Sequence, residues 1–245
     1  MSLKNALKTK KDINLDSDRV GGRRMLETDA YPMKIKYAFL DAAKSGAISL
    51  NFQLESEAGS VTQTTYLTSG EEKGLSNTYT DKEGNEQYLP GFILGNTMTL
   101  LSVGEEIGDL DTEEKVINLY DFDAKKELPT KVQMLVDLLD KEIIAAVELQ
   151  EVDKRVKNDQ GKYVASGETR QQNEVVKFFR ASDKMTVTEI QSEAEEATFI
   201  DVWTEKNKGQ VINRAKGASG NGATKGAPPK SGGDKARSGV KSLFK

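Results

Sequence analysis

The chain has 245 residues, no cysteine and no histidine, and a formal net charge of −4. These absences exclude a disulfide framework, the usual zinc sites, a Cys or Ser nucleophile working with an imidazole base, and any imidazole proton relay. The charge is unevenly divided: residues 206–245 hold ten Lys or Arg against the single acid Asp234, which leaves 25 basic and 38 acidic side chains for residues 1–205.

The N-terminal stretch, residues 1–30, carries Lys4, Lys8, Lys10, Lys11, Arg19, Arg23 and Arg24 with a Gly21-Gly22 break, and reads as a basic arm. It lacks the apolar stretch of a signal peptide, and no apolar run in the chain approaches the roughly 20 residues of a membrane span. A cytoplasmic protein is therefore expected, one sizeable domain with appendages.

Residues 31–69 read as three successive strands. Met33, Ile35, Tyr37 and Phe39 alternate with Lys34, Lys36 and Ala38, and Ile48, Leu50, Phe52 and Leu54 alternate with Ser49, Asn51, Gln53 and Glu55. A period of two is what a half-buried strand needs, so Tyr37 is expected in the core beside Ile35 and Phe39. Lys44-Ser45-Gly46 and Ala58-Gly59-Ser60 supply tight turns for an antiparallel meander. The third strand, with Thr62, Thr64, Thr65, Tyr66 and Thr68, is β-branched but weakly apolar, which suits a working surface.

Next comes a long excursion whose Lys82-Glu83-Gly84-Asn85 turn lies between Tyr79 and Tyr88. Residues 92–103 predict a short helix interrupted by Gly95, and residues 116–122 a strand. Asp109, Asp111 and Glu113 resemble calcium ligands, but Glu114 stands where an EF-hand loop needs glycine and no bidentate glutamate follows. Leu128-Pro129 with Val132, Leu135, Val136 and Leu139 predicts a packing helix. Strands follow over 143–152 and 174–180, separated by an Asn158–Gly161 turn. Thr186-Val187-Thr188-Glu189 has the form of a capping box and starts a helix carrying Ile190, Ala194, Ala197 and Ile200, with Trp203 near its end.

Beyond Asn213 periodicity ends, and residues 216–240 have the Gly, Ser, Ala, Pro and Lys composition of a flexible linker. The expected fold is mainly β with helices. Its core is a five-stranded OB-fold, a partly open Greek-key β-barrel, with a long insertion, a C-terminal helix and a disordered basic tail. The expected division is an arm at 1–30, an OB domain at 31–205 and a tail at 206–245.

No catalytic constellation or cofactor site is legible. The glycines and Lys225 of residues 220–226 lack P-loop spacing, and the acid pairs Glu71-Glu72 and Glu105-Glu106 have no companion nucleophile. What stands out is aromatic residues interleaved with cations: Lys34, Lys36, Tyr66, Lys73, Tyr79, Lys82 and Tyr88, with Arg23 and Arg24 of the arm. Rings stack on bases while cations track phosphates, which is how single-stranded nucleic acid is held without sequence preference.

Gly21-Gly22, Tyr31 with Ile35-Lys36-Tyr37-Ala38, Lys44-Ser45-Gly46-Ala47 before Ser49-Leu50, Thr65-Tyr66, Lys73-Gly74, residues 135–144, and Trp203 before Asn207-Lys208-Gly209 together resemble the single-stranded DNA-binding proteins of lytic bacteriophages. The resemblance spans residues 20–212. It implies a non-enzymatic OB-fold that coats single strands during phage DNA replication, recombination and repair in the host cytoplasm. Many such proteins end in an acidic tail tipped by an aromatic residue. Here the tail is basic, and so is expected to add DNA affinity or dock on an acidic patch, while Leu243, Phe244 and Lys245 engage a polymerase or other replication partner. Two other readings are a virion or scaffold protein that binds through its tail, and an RNA-binding OB module.

Overall fold

A computed structural model describes residues 25–216, except 122, 123, 159, 160 and 162. Among these residues, ten strands and three α-helices follow in the order β1 (Asp29–Ala42), β2 (Ile48–Ser56), β3 (Gly59–Tyr66), β4 (Thr78–Thr80), β5 (Glu86–Tyr88), α1 (Pro90–Ser102), β6 (Glu113–Asp121), β7 (Lys126–Met134), β8 (Glu142–Lys157), β9 (Tyr163–Arg180), α2 (Val187–Gln191), α3 (Phe199–Asn207) and β10 (Val211–Asn213). The chain is mainly β. Among the described residues no helix is long and apolar enough to cross a membrane.

The second and third strands of the meander form as expected, with Leu50, Phe52 and Leu54 of β2 and Val61 of β3 turned into one core. β8 returns beside the first half of β1, pairing Asp29–Lys34 with Val147–Glu142, and β9 pairs along the other edge of β8. The segment 143–147 is buried on both faces, which explains its unbroken apolar run Ile-Ile-Ala-Ala-Val. One face joins the meander core through Ile143, Ala145 and Val147, and the other lies under Ile200 and Trp203 of α3.

The path β3-β2-β1-β8-β9 curls until its end strands meet, yet the expected barrel is not closed. No backbone ladder joins β3 to β9. The Gln63 side chain does so instead: its Nε2 donates to the Val175 carbonyl (3.1 Å) and its Oε1 accepts from the Val175 N–H (2.7 Å). Asn173 makes a second such rung to Leu26, accepting from its N–H (2.9 Å) and donating to its carbonyl (2.7 Å). Leu26 is buried in the main core, where it faces Gly59 at the start of β3. α1 packs against the other end of the same opening. A Cβ at Gly91 would stand 2.1 Å from the Tyr66 carbonyl oxygen, and one at Gly95 2.7 Å from Leu67. Gly95, which weakens the helix locally, is thus what permits the close approach.

Three expectations are overturned locally. Residues 128–139 are not a helix: Leu128 to Met134 belong to β7, paired with β6, and only Val136–Leu138 form a 3-10 turn. The side chains of Leu128, Val132 and Met134 share one face of β7, and apart from Gln133 and Met134 its far edge has no strand partner among the described residues, a place that tolerates Pro129. Residues 186–200 are two helices. The capping box at Thr186 and Glu189 forms, but the other Glu189 oxygen accepts the N–H groups of Thr198 and Phe199 (both 2.8 Å), starting α3 anew. Finally, a bulge at Lys36 breaks the β1 alternation. Ala38 then enters the main core, while Tyr37 and Phe39 turn to the outer face, their rings tilted with centroids 5.7 Å apart, beneath Ile117, Leu119, Val132 and Met134 of the β6–β7 hairpin.

The fold also continues beyond residue 205. α3 runs to Asn207, and β10 pairs in parallel with Leu149–Glu151 of β8.

Candidate functional site

The outer face of the meander carries alternate residues of its strands. Tyr66, Thr64 and Thr62 of β3 stand opposite Ser49, Asn51 and Gln53 of β2. The Thr64 hydroxyl donates to Asn51 Oδ1, and the Tyr66 ring is 54% exposed. The β6–β7 hairpin covers the neighbouring β1 column, whereas on the β2–β3 strip Thr62, Thr64 and Tyr66 are exposed, Asn51 and Gln53 half-buried and Ser49 buried, an uncharged row of hydroxyls and amides with one ring. The sequence pattern identified Tyr66 and an open face. It did not single out Asn51 or Gln53, whose only signal was their place between buried Leu50, Phe52 and Leu54.

The predicted cations divide between the two ends of this strip. Lys34 lies opposite Glu55, seven residues along β1 from Asp41, which lies opposite Ser49 beside Tyr66. At about 3.3 Å per residue the ends are roughly 20 Å apart. Lys34 pairs with Glu142 (3.8 Å) and Lys36 with Glu55 (3.6 Å), both in solvent-exposed geometry that contributes little to stability. They edge a groove of about 970 Å³ whose lining also includes Glu57, Asp140 and Lys184, so this end is mixed in charge.

Lys73 sits at the Tyr66 end, in the 3-10 turn Glu71–Lys73 closed by Gly74 at φ 78°. That turn rests on the β1–β2 turn, where the Glu71 N–H donates to the Ser45 carbonyl (2.8 Å). Lys44 of the β1–β2 turn is therefore a second cation at this end, one the sequence reading passed over. Among the described residues neither lysine forms an ion pair.

The excursion is less unified than its sequence suggests. Tyr79 lies opposite Gln87 and Thr78 opposite Tyr88, so the two tyrosines project from opposite faces of the β4–β5 ribbon. Tyr88 stacks on Phe92 of α1, with ring centroids 5.1 Å apart, and serves to hold the ribbon on the body. Lys82 occupies the hairpin turn beside Asp81, Glu83 and Glu86. The Asn85 N–H, together with the Asn85 and Gln87 side-chain amides and the Glu83 N–H, holds the Asp81 carboxyl below its usual range, so that acid is charged. Lys82 is thus no net cationic tip. Arg23 and Arg24, and Leu243, Phe244 and Lys245, lie outside the described residues.

No family model, curated protein or solved structure matches the chain.

Proposed function

We propose that the chain binds single-stranded DNA across the outer face of β2 and β3, without catalysing a reaction on it. The path β3-β2-β1-β8-β9, with α1 between the third strand and the strand that returns to β1, follows the plan of an OB-fold, and we assign the fold to that type. The observation that carries the reading is the uncharged strip itself, with one exposed ring and, at each end, lysines set among acids, in a body that is acidic as a whole. A base stacked on an aromatic ring gains about 1 to 3 kcal/mol, and hydroxyls and amides meet base edges without demanding one sequence. Lys44 and Lys73 at one end, and Lys34 and Lys36 at the other, meet phosphates. Contacts of this kind act within a Debye length of about 8 to 10 Å, so the acidic remainder does not abolish them. It does disfavour duplex that touches the body elsewhere.

The resemblance to lytic-phage single-strand binders supports the same reading, with a role in replication, recombination and repair in the host cytoplasm. In the full chain, Tyr66→Ala should weaken binding of a labelled oligo-dT about 5- to 150-fold, the equivalent of one stacked base. Its unfolding curve should match the wild type, because the ring is exposed. Unchanged affinity would place the site elsewhere, and equal binding of oligo-rU would move the RNA-binding module ahead.

A further inference from the structure

We infer that the open seam between β3 and β9 takes one base of the bound strand, and favours a base that carries an exocyclic amine, cytosine or adenine, through the carboxylate of Glu174. This rests on the single-strand-binding reading above, for which the seam is the surface next to the strip.

No backbone ladder crosses this seam, which is a cleft of about 440 Å³, within the roughly 300 to 1,000 Å³ of small-molecule pockets. It adjoins the strip, because Thr62 and Thr64 of β3 belong to both. Gln172, Glu174 and Val176 of β9 form the facing wall, and Pro90 and Leu94 of α1 add apolar surface. A further strand could enter only by breaking the two bonds between Gln63 and Val175, so the space suits a single compact group.

The charge in the cleft decides what that group is. The register between β8 and β9 is regular from Arg170 to Glu174, so Arg170, Gln172 and Glu174 share one face of β9. The Arg170 guanidinium donates to Gln172 Oε1 (2.9 Å), and Gln172 Nε2 donates to Glu174 Oε2 (3.4 Å). Glu174 is half-buried and stands directly opposite Glu148 of β8, a pairing of like charges that opposes folding. Glu148 is compensated by the Arg214 guanidinium (3.4 Å) and by Gln150 Nε2 (2.7 Å). Among the described residues Glu174 has no cation, and no donor except the Gln172 amide at the long end of hydrogen-bond range. A carboxylate accepts and does not donate, so this acid repels phosphate and carbonyl oxygens and attracts an amine. Cytosine offers an amine at N4 and adenine at N6, where thymine and uracil set a carbonyl oxygen. On the facing wall the Thr62 hydroxyl, unbonded among the described residues, can donate or accept toward the rest of the base edge. Arg170 is exposed and pairs with no acid among the described residues, which leaves it to meet the phosphate that stays outside.

The test measures binding of labelled oligo-dC and oligo-dU of equal length, at mildly alkaline pH where cytosine is unprotonated, to the full-length wild type, Glu174→Gln and Tyr66→Ala. The two bases differ in having an amine or a carbonyl at one ring position. The wild type should prefer oligo-dC by about 5-fold or more, the lower end of what one well-made base contact discriminates. In Glu174→Gln the preference should disappear, since an amide meets either group, and its unfolding curve should show no loss of stability because Glu148 is relieved of a like charge. Removing a mere repulsion of phosphate raises both affinities and leaves their ratio, so the ratio reports base recognition alone. Tyr66→Ala should weaken both oligonucleotides and keep the ratio. Equal binding of the two by the wild type, or a preference that Glu174→Gln retains, overturns the seam as a base site, and with Tyr66→Ala still weakened the strip stands. If Tyr66→Ala binds like the wild type while Glu174→Gln loses the preference, the strip reading fails and the seam remains. Absence of binding to either oligonucleotide refutes both.

Discussion

Replacing Gln63 with alanine tests whether a side chain can hold the two end strands together in place of a ladder. The substitution removes two neutral hydrogen bonds, at 2.7 and 3.1 Å, each contributing on the order of 1 kcal/mol. It also strands the N–H and the carbonyl of Val175, a residue only 1% exposed, at about 1 to 3 kcal/mol for each group that water cannot reach. The cleft between β3 and β9 is open enough to admit water, which places the sum near 2 to 4 kcal/mol. Gln63→Glu should be intermediate, since a carboxylate keeps the bond from the Val175 N–H but sets an oxygen against the Val175 carbonyl. Urea unfolding reads the global loss, and native-state hydrogen exchange reads the local one. The Val175 amide should exchange about 30- to 900-fold faster, following about 1.36 kcal/mol per factor of ten. A loss under about 0.5 kcal/mol together with unchanged Val175 exchange would refute this account of how the sheet is held.

Glu189 serves two helices, so Glu189→Ala should cost about 2 kcal/mol, twice a typical N-cap, whereas Glu189→Gln keeps an acceptor for one helix and should cost roughly half as much. Burial works to raise the Glu189 carboxyl, but the N–H groups of Thr186, Phe199 and Thr198 bring it down to about 2 from an ordinary value of 4.5. Because the folded value is the lower one, this stabilisation is fully present above pH 4.5 and disappears as pH falls toward about 2, so the acid limb of a stability-against-pH curve should be shallower in Glu189→Gln. Gly91→Ala should destabilise by about 1 to 3 kcal/mol, since its Cβ would meet the Tyr66 backbone at 2.1 Å and α1 would have to shift; thermal melts compare it with the wild type. Leu26→Ala should cost about 2 to 5 kcal/mol in chemical denaturation, as the buried plug beside Gly59 is lost.

Local signals in the chain were reliable where one element decided its own form. The meander, its two turns, α1, the capping box and the inner stretches of β8 and β9 follow from residues within a few positions of one another. β7 did not, because Val132, Leu135, Val136 and Leu139 satisfy helical spacing while Val132 and Met134 satisfy strand spacing. Pairing with β6 decided between them. The candidate site was half legible. Tyr66 stands where the alternation placed it, but Tyr88 was drawn onto Phe92, and Tyr79 and Tyr88 were set on opposite faces by the register of their hairpin.

By itself, the sequence determined that thiol and imidazole side chains are absent, which segments alternate, where the chain turns, and that an acidic body is joined to a basic tail. Those properties reside in residue type and short spacing. Only the tertiary structure decided that Lys36 would bulge and move Tyr37 to the outer face, that Gln63 and Asn173 would stand in for missing ladders, and that Glu148 and Asp153 would anchor the tail's root on β8. Each of these joins residues far apart in the chain, and no local preference specifies such a partner.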